Sequence, residues 1–267
     1  MAEWPTHTVS SWKEFLHHAG RVTRGAIFPP NNLFRGQPNA SWRLDTTLRR
    51  ALPPNTSVAT ALAVEAQAER DFLSNAHLAP GSTWIPVVLT NAERYDLWAL
   101  MQHHSCPSRL LDWTASPFVA AYFAVEQLTT TDGAMFVVHP NAVQQTFPPL
   151  GSFDVSDFQS ENAALSLYFF RPGIKSERSS PQQGQFSVSP NVLASHDDVI
   201  CSQCEPLRRQ NPGTMYFEKW IIPSALKLPF LRELRLMNIT GQSLFPGLDG
   251  LGRAIGESIR IRDERGA

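Results

Sequence analysis

The stretch MQHHSCPSRLLDWTASPFVAAYFAV, residues 101–125, constrains the fold more than any other part of the sequence. Its second half is an apolar run over residues 118–124, with Thr114 or Ser116 as a helix N-cap and Pro117 suited to a first helical turn. The run predicts a buried helix whose positive N-terminal end suits an anionic group. The first half is polar and predicts a loop or helix end followed by a sharp corner.

Hydrophobic periodicity divides the rest of the chain into helices and strands. Helices are predicted at residues 9–18, 60–76, 91–103, 228–237 and 251–261, and strands at 32–36, 133–139, 165–170, 181–190 and 215–223. The polar residues 201–213 predict a loop. We predict one α+β domain over residues 1–267, with helices mainly in the N-terminal half, packed on a mixed or antiparallel sheet.

Composition limits the classes of partner. The chain has 23 basic and 24 acidic residues and a formal net charge of −1, which gives no bulk attraction to nucleic acid or to a membrane surface. Its 3 cysteines are too few for a disulfide framework. No apolar run approaches the roughly 20 residues of a membrane span, and the first residues lack the layout of a signal peptide. We therefore expect a soluble, cytoplasmic protein.

Five residues have both a structural and a functional interpretation. Arg35 either binds a ligand or forms a bidentate pair with Asp112, which its apolar neighbours predict to be buried. Arg109 either belongs to the site or, with Asp112, fixes the corner before the buried helix. His103 is a general base or interacts with the C-terminal dipole of the preceding helix. Trp113 belongs to the core or forms an aromatic wall for a planar ligand group.

Periodicity also predicts which side chains of two helices face the core. In the first helix, Trp12, Phe15 and Leu16 are expected to point inward. In the helix at 60–76, Glu65 and Glu69 are four residues apart and share one face. The two residues either act together as paired carboxylates or lie on a solvated face, and the solvated face is the expected position.

A possible metal site is suggested by Cys201 and Cys204, which form C-x-x-C with His196 upstream. A structural zinc ion takes four ligands, and a second pair is missing from the sequence. No metal is therefore expected. A P-loop motif is also absent from the sequence.

Four blocks of the sequence resemble the signature blocks of one family. They are FRGQPNASWRL at 34–44, QHHSCPSRLLDWTASPFVAAYFA at 102–124, QQGQFSV at 182–188 and SLFPGLDGL at 243–251. They resemble the FRG domain family, which is named for its Phe-Arg-Gly motif and occurs mainly in bacteria and phages. The central block of that family usually has Tyr, Gly and Thr where this chain has His104, Ser105 and Ser108. The resemblance spans roughly residues 30–255 and implies a fold more than an activity.

A strand that ends in aromatic-Arg-Gly is also similar to the first strand of the arginine-serine-glutamate ADP-ribosyltransferases. In that family the arginine contacts the NAD phosphates, a serine follows on a later strand, and a glutamate positions the ribose. The similarity places Arg35 at the arginine, Ser187 or Ser116 at the serine, and Glu218 at the glutamate. It implies an ADP-ribosyltransferase-like fold with NAD as the cofactor.

The preferred hypothesis is an ADP-ribosyl-transferring or NAD-consuming effector in a toxin or phage-defence setting, which binds a nucleotide-like small molecule and modifies an unidentified acceptor macromolecule. The predicted catalytic residues are His103, Asp112 and Glu218, and the predicted NAD-binding residues are Arg35, Gly36, Arg109, Trp113, Gln183 and Ser187. Arg35, His103, Arg109, Asp112 and Gln183 are expected to face one cleft. Two alternatives stay open, a hydrolase or nuclease that uses His103, Arg109 and Asp112, and a non-catalytic binding module.

Overall fold

Seven strands of the chain form one mixed sheet. The structure is a computed structural model, and it describes residues 3–23, 32–76, 78, 91–127, 130–144, 155–171, 173 and 182–263. The strands are β1 (Thr6–Thr8), β2 (Leu33–Gln37), β3 (Leu110–Thr114), β4 (Gly133–Val138), β5 (Tyr168–Phe170), β6 (Gly184–Val188) and β7 (Phe217–Ile222). Their order is β1-β7-β4-β2-β3-β6-β5. β1 and β7 are parallel and the other neighbours are antiparallel.

Helices pack on this mixed, mostly antiparallel sheet, which confirms the α+β class. They are α1 (Trp12–Thr23), α2 (Thr47–Ala51), α3 (Val58–Ala76), α4 (Asn91–His103), α5 (Pro117–Val125), α6 (Pro140–Gln144), α7 (His196–Gln210), α8 (Ser224–Leu236), α9 (Gly241–Leu244) and α10 (Leu248–Asp263), with a short 3₁₀ helix at Val155–Gln159. None of the helices in these ranges combines the length and apolar character that crossing a lipid bilayer requires.

The two faces of the sheet bury separate apolar clusters. On one face, α1, α5 and α8 cover a cluster that includes Phe34, Val137 and Trp220. On the other face, α6 and α7 cover a cluster that includes Trp113 and Phe136. Because side chains alternate along a strand, neighbouring residues of β2 and β4 contribute to opposite clusters. The six residues of β4 are accordingly all buried.

Helix α5 is the buried helix that the sequence predicts. The Ser116 side chain accepts a hydrogen bond from the backbone N–H of Val119 at 3.3 Å, and Pro117 occupies the first turn. The helix packs directly on β2, where the backbones come unusually close. A Cβ atom on Gly36 would lie 1.8 Å from the carbonyl oxygen of Ala120 and 2.7 Å from the backbone nitrogen of Ala124. Gly36 therefore permits a contact that any other residue would prevent.

Three predictions about elements and faces are wrong. LLDWT is strand β3 and not a corner, because four of its five residues are buried and the usual alternation of apolar and polar residues is lost. Most of the segment predicted as a loop at 201–213 belongs to α7. The polar character of α7 hides the fact that Asp197 in its first turn accepts hydrogen bonds from the distant Trp4 and Leu44, at 2.8 and 2.6 Å. On α1, Leu16 is 41% exposed and does not point inward.

Gly36→Ala is expected to lower the free energy of unfolding by about 3 kcal/mol, the upper end of the usual cost of overpacking, because the added methyl group meets helix backbone that cannot move aside. Urea denaturation measures the change. Gly252→Ala on α10 is the matched control, since a Cβ atom there meets no atom within 4 Å, and its helix propensity should leave stability unchanged or raise it by about 1 kcal/mol. Equal stability of the two variants would contradict the steric explanation.

Candidate functional site

A pocket of about 340 Å³ lies where β2, β3, β6 and α4 meet. Its aromatic lining comprises Phe34, Trp113, Phe123, Phe186 and Phe245, and its polar lining includes Arg35, Asp96, Gln102, His103, Asp112, Gln182 and Gln185. The volume is within the range of sites for small ligands. Residues from all four sequence blocks that resemble the FRG family therefore line one pocket.

The pocket opens where the pairing of β2 with β3 stops. The two strands share the register pair Phe34–Thr114, whereas β3 pairs with β6 along all five of its residues. Next to this pair, Nη1 of Arg35 donates a hydrogen bond to the carbonyl oxygen of Asp112 at 2.8 Å. The same nitrogen lies 3.7 Å from Oδ2 of Asp112. An arginine side chain thus links the two strands where the backbone ladder ends.

The carboxylate of Asp112 faces the pocket. Its side chain is 54% exposed, so the prediction that it is buried is wrong. Strand alternation turns Leu111 and Trp113 into the core and leaves Asp112 on the open side. Nε2 of Gln102 donates to Oδ2 of Asp112 at 2.8 Å, and Oε1 of Gln102 accepts from Thr47 and Ser108 at 3.0 and 2.9 Å. These bonds fix the amide of Gln102 and, through it, the carboxylate.

Among the described residues, Arg35 is the cation that pairs with this carboxylate. Its side chain is 16% exposed, and burial lowers the pKa of the guanidinium, while the negative charge of Asp112 opposes that shift. Its Nε has no hydrogen-bond partner among the described residues. The guanidinium of Arg35 therefore places a positive charge beside Asp112, and its Nε–H is available for a further hydrogen bond.

Trp113 forms part of the pocket wall and is fixed from behind. Its indole N–H donates to Oγ of Ser187 at 2.8 Å, and Oγ of Ser187 lies 2.9 Å from Nδ1 of His196. The hydroxyl of Ser187 thus accepts from the indole, and the tautomer of His196 sets the direction of its second hydrogen bond. Burial, together with the positive charges of Arg35 and Arg49, lowers the pKa of His196 to about 3. Ser187 is fully buried, so it supports Trp113 and does not reach the pocket.

Arg109 lies in the interior, and the expectation that it faces the cleft is wrong. It forms a bidentate ion pair with Glu65, and its Nη1 donates to the carbonyl of Pro190 at 2.9 Å. Its guanidinium lies 5.0 Å from the ring centre of Trp98. The two charged side chains are 2% and 6% exposed.

The predicted solvated face of α3 is also wrong, because Glu65 and Glu69 are both buried. Glu69 accepts a hydrogen bond from Nε1 of Trp98 at 2.7 Å, and burial raises the pKa of its carboxyl. The spacing of the two carboxylates was read correctly as one face. Which way that face points depends on Arg109, far along the chain, and this information is absent from the local pattern.

Glu218 and Gln183 also lie apart from the predicted cluster. Glu218 is on β7 and accepts from Arg21 and Trp220 at 2.7 and 2.9 Å. Because β4 lies between β7 and β2, Arg35, Ser187 and Glu218 do not meet at one point. Gln183 is exposed and has a φ of 50°, while its neighbours line the pocket.

His103 ends helix α4 and lines the pocket with Asp112 and Gly36. Its ring packs edge-on against His104, with centroids 4.9 Å apart. Sequence reasoning missed several other lining residues, namely Asp96, Gln185, Phe186 and Phe245. The signal for Phe186 and Gln185 was present in the QQGQFSV block, whereas Asp96 had none.

The architecture and the pocket define an α+β domain with an aromatic-lined cleft at the junction of two central strands. Residues 30–133 match the family model described as FRG domain. Over this matched region the chain is similar to FRG domains. The blocks at 182–188 and 243–251 lie beyond the match, although both contribute to the pocket. Comparisons with curated proteins and with solved structures each found no match.

Arg109→Met is expected to lower the free energy of unfolding by about 3–5 kcal/mol, because it leaves the carboxylate of Glu65 buried without its partner. Replacing both residues with Met should recover most of the loss. Arg208→Met on α7 is the control, since Arg208 pairs with Glu205 at the surface and a surface pair contributes about 0–1 kcal/mol. Chemical denaturation compares the variants, and similar losses for Arg109→Met and Arg208→Met would contradict the buried pair.

Acidification is expected to destabilise the fold through His196. The imidazole binds a proton below about pH 6.5 in the unfolded chain but only near pH 3 in the folded one. Stability is therefore lost as the pH falls through this window, by about 2 kcal/mol between pH 6.5 and 5. His196→Asn keeps a hydrogen-bonding partner for Ser187. It should remove this contribution to the dependence of the free energy of unfolding on pH. His17→Asn, at an exposed position, should keep it. Denaturation curves at pH 7, 6 and 5 make the comparison, and an unchanged slope in His196→Asn would contradict the assignment.

Proposed function

We propose that the pocket binds a nucleotide-like small molecule, with NAD as the ligand, and that Asp112 acts on its glycosidic bond. The observation that carries the proposal is the half-exposed carboxylate of Asp112, held by Gln102 and Arg35 in a pocket with aromatic walls. A fixed carboxylate beside apolar rings suits a ligand ring that is planar and cationic. The nicotinamide of NAD has both properties.

The arrangement of charge favours the nicotinamide end of NAD over its pyrophosphate. Among the described residues, the pocket lining has the carboxylates of Asp96 and Asp112 and one guanidinium, that of Arg35, which is mostly buried. When the bond between nicotinamide and ribose breaks, its electron pair leaves with the nicotinamide and positive charge develops on the ribose. A carboxylate already fixed beside that position stabilises the developing charge. In this proposal Arg35 positions Asp112 and does not bind the phosphates of NAD.

His103 is the proposed base for the second half of the reaction. A water molecule, or a hydroxyl of an acceptor macromolecule, attacks the ribose carbon and gives its proton to the imidazole. Attack by water gives NAD hydrolysis, and attack by an acceptor gives ADP-ribosyl transfer. The proposed serine and glutamate of the transferase pattern have no part in this scheme, because Ser187 is buried and Glu218 pairs with Arg21. Consumption of NAD would fit a toxin or phage-defence effector.

Asp112→Asn is the central test. The variant keeps the shape of the side chain and, because the residue is half-exposed, should change stability by less than about 1 kcal/mol. Cleavage of NAD should fall by about 100-fold or more, the usual effect of removing one electrostatic stabiliser. Asp198→Asn is the control, since that side chain is 57% exposed and also lies beside an arginine. It should retain the wild-type rate.

Binding and cleavage are measured separately. Calorimetric titration of NAD, nicotinamide and ADP-ribose into the wild type shows which half of the ligand enters the pocket, and chromatography of the products measures cleavage. Arg35→Lys should weaken NAD binding, because the ammonium of lysine does not occupy the position from which Nη1 of Arg35 contacts the carbonyl and the carboxylate of Asp112. Binding without cleavage would leave a binding module. If wild-type protein neither binds nor cleaves NAD, the proposal is wrong.

A further inference from the structure

A second cluster of chemically active side chains lies at β1 and α1, away from the pocket. His7 is on β1, opposite Trp220 of β7. Glu14 and His18 are four residues apart on α1, so they share a face of that helix. Two strands, β7 and β4, separate β1 from β2. The cluster therefore belongs to a different part of the sheet from Arg35 and Asp112.

The imidazoles of His7 and His18 both lie near one carboxylate oxygen of Glu14. Nε2 of His7 lies 2.8 Å and Nε2 of His18 lies 3.7 Å from Oε1 of Glu14. All three potential ligand atoms lie within 4.8 Å of one another. The two imidazole rings are 4.3 Å apart between centroids.

The surroundings fix the ligand atoms in these positions. The other oxygen of Glu14, Oε2, accepts hydrogen bonds from the backbone N–H and the hydroxyl of Ser10, at 2.7 and 2.5 Å. Oε1 is left to face the two imidazoles. The ring of His18 packs against Trp220, with centroids 5.6 Å apart. A carboxylate held by its second oxygen is an arrangement typical of metal ligands.

We propose that His7, Glu14 and His18 bind a divalent transition-metal ion, of which Zn²⁺ is the best fit. Imidazole nitrogen and carboxylate oxygen are ligands that Zn²⁺ takes at about 2.0–2.2 Å. The ion replaces the hydrogen bond between His7 and Glu14, and small side-chain movements bring His18 to it. Three protein ligands leave at least one coordination position for water. The bound ion joins the edge strand β1 to helix α1.

The C-x-x-C pair of α7 does not offer an equivalent site. Among the described residues, neither cysteine belongs to a group of three potential ligand atoms that lie within 4.8 Å of one another. Nδ1 of His196 is already bonded to Ser187.

Calorimetric titration of ZnCl₂ into untagged full-length protein tests the site. Wild type should bind one Zn²⁺ per chain. His7→Gln and Glu14→Gln should each weaken binding by more than about tenfold, because even loss of an outer partner costs about 10–100-fold. Ser10→Ala removes one of the two bonds to Oε2 and should weaken binding by about tenfold. His17→Gln is the control, since His17 is the exposed neighbour of His18, and it should bind as wild type does.

Melting curves without metal show whether each variant is folded, and Co²⁺ spectra of the wild type give an independent measure. Nitrogen and oxygen ligands give visible Co²⁺ bands without the near-ultraviolet thiolate band. A thiolate band would place the ion on cysteine and overturn the proposal. Wild-type affinity in both His7→Gln and Glu14→Gln, or no binding to wild type, would also overturn it. None of these results depends on NAD.

Discussion

The contact between β2 and α5 at Gly36 is the constraint on which the centre of the fold depends. It allows an apolar helix to lie directly on a central strand, and it fixes what the preceding residues can do. Phe34 is fully buried in the cluster under α5, while Arg35 bonds to the neighbouring strand β3. Phe34 thus fills the core, Arg35 links β2 to β3, and Gly36 permits the close approach of α5.

The pocket follows from the way those strands separate. A sheet whose ladder continued between β2 and β3 would satisfy the carbonyl of Asp112 with a backbone N–H, and its carboxylate would have no arginine beside it. Here a guanidinium and the amide of Gln102 both bond to Asp112. The amide is oriented in turn by Thr47 and Ser108. Groups from distant parts of the sequence therefore hold one charged group without shielding it from the pocket.

Local signals in the sequence were sufficient for some elements and not for others. Helix α5 was predictable because its cap, its proline and its apolar run are adjacent, and α4 matched its predicted bounds. Strand β3 was missed because four of its five residues are buried, which removes the regular alternation that identifies a strand. The burial of Glu65 depends on Arg109, 44 residues away, and periodicity within α3 carries no information about it. Similarly, the order Arg35, Ser187, Glu218 says nothing about β4, which lies between two of their strands.

The lengths of the outermost strands have a consequence for the protein in concentrated solution. β1 and β5 are the two ends of the sheet, and each has three residues. An exposed edge strand offers unpaired N–H and C=O groups with which another chain can pair, and a short edge strand offers few of them. Within the described residues, both ends of the sheet thus present little template for added strands. The short edge strands of this sheet therefore limit its growth into fibres.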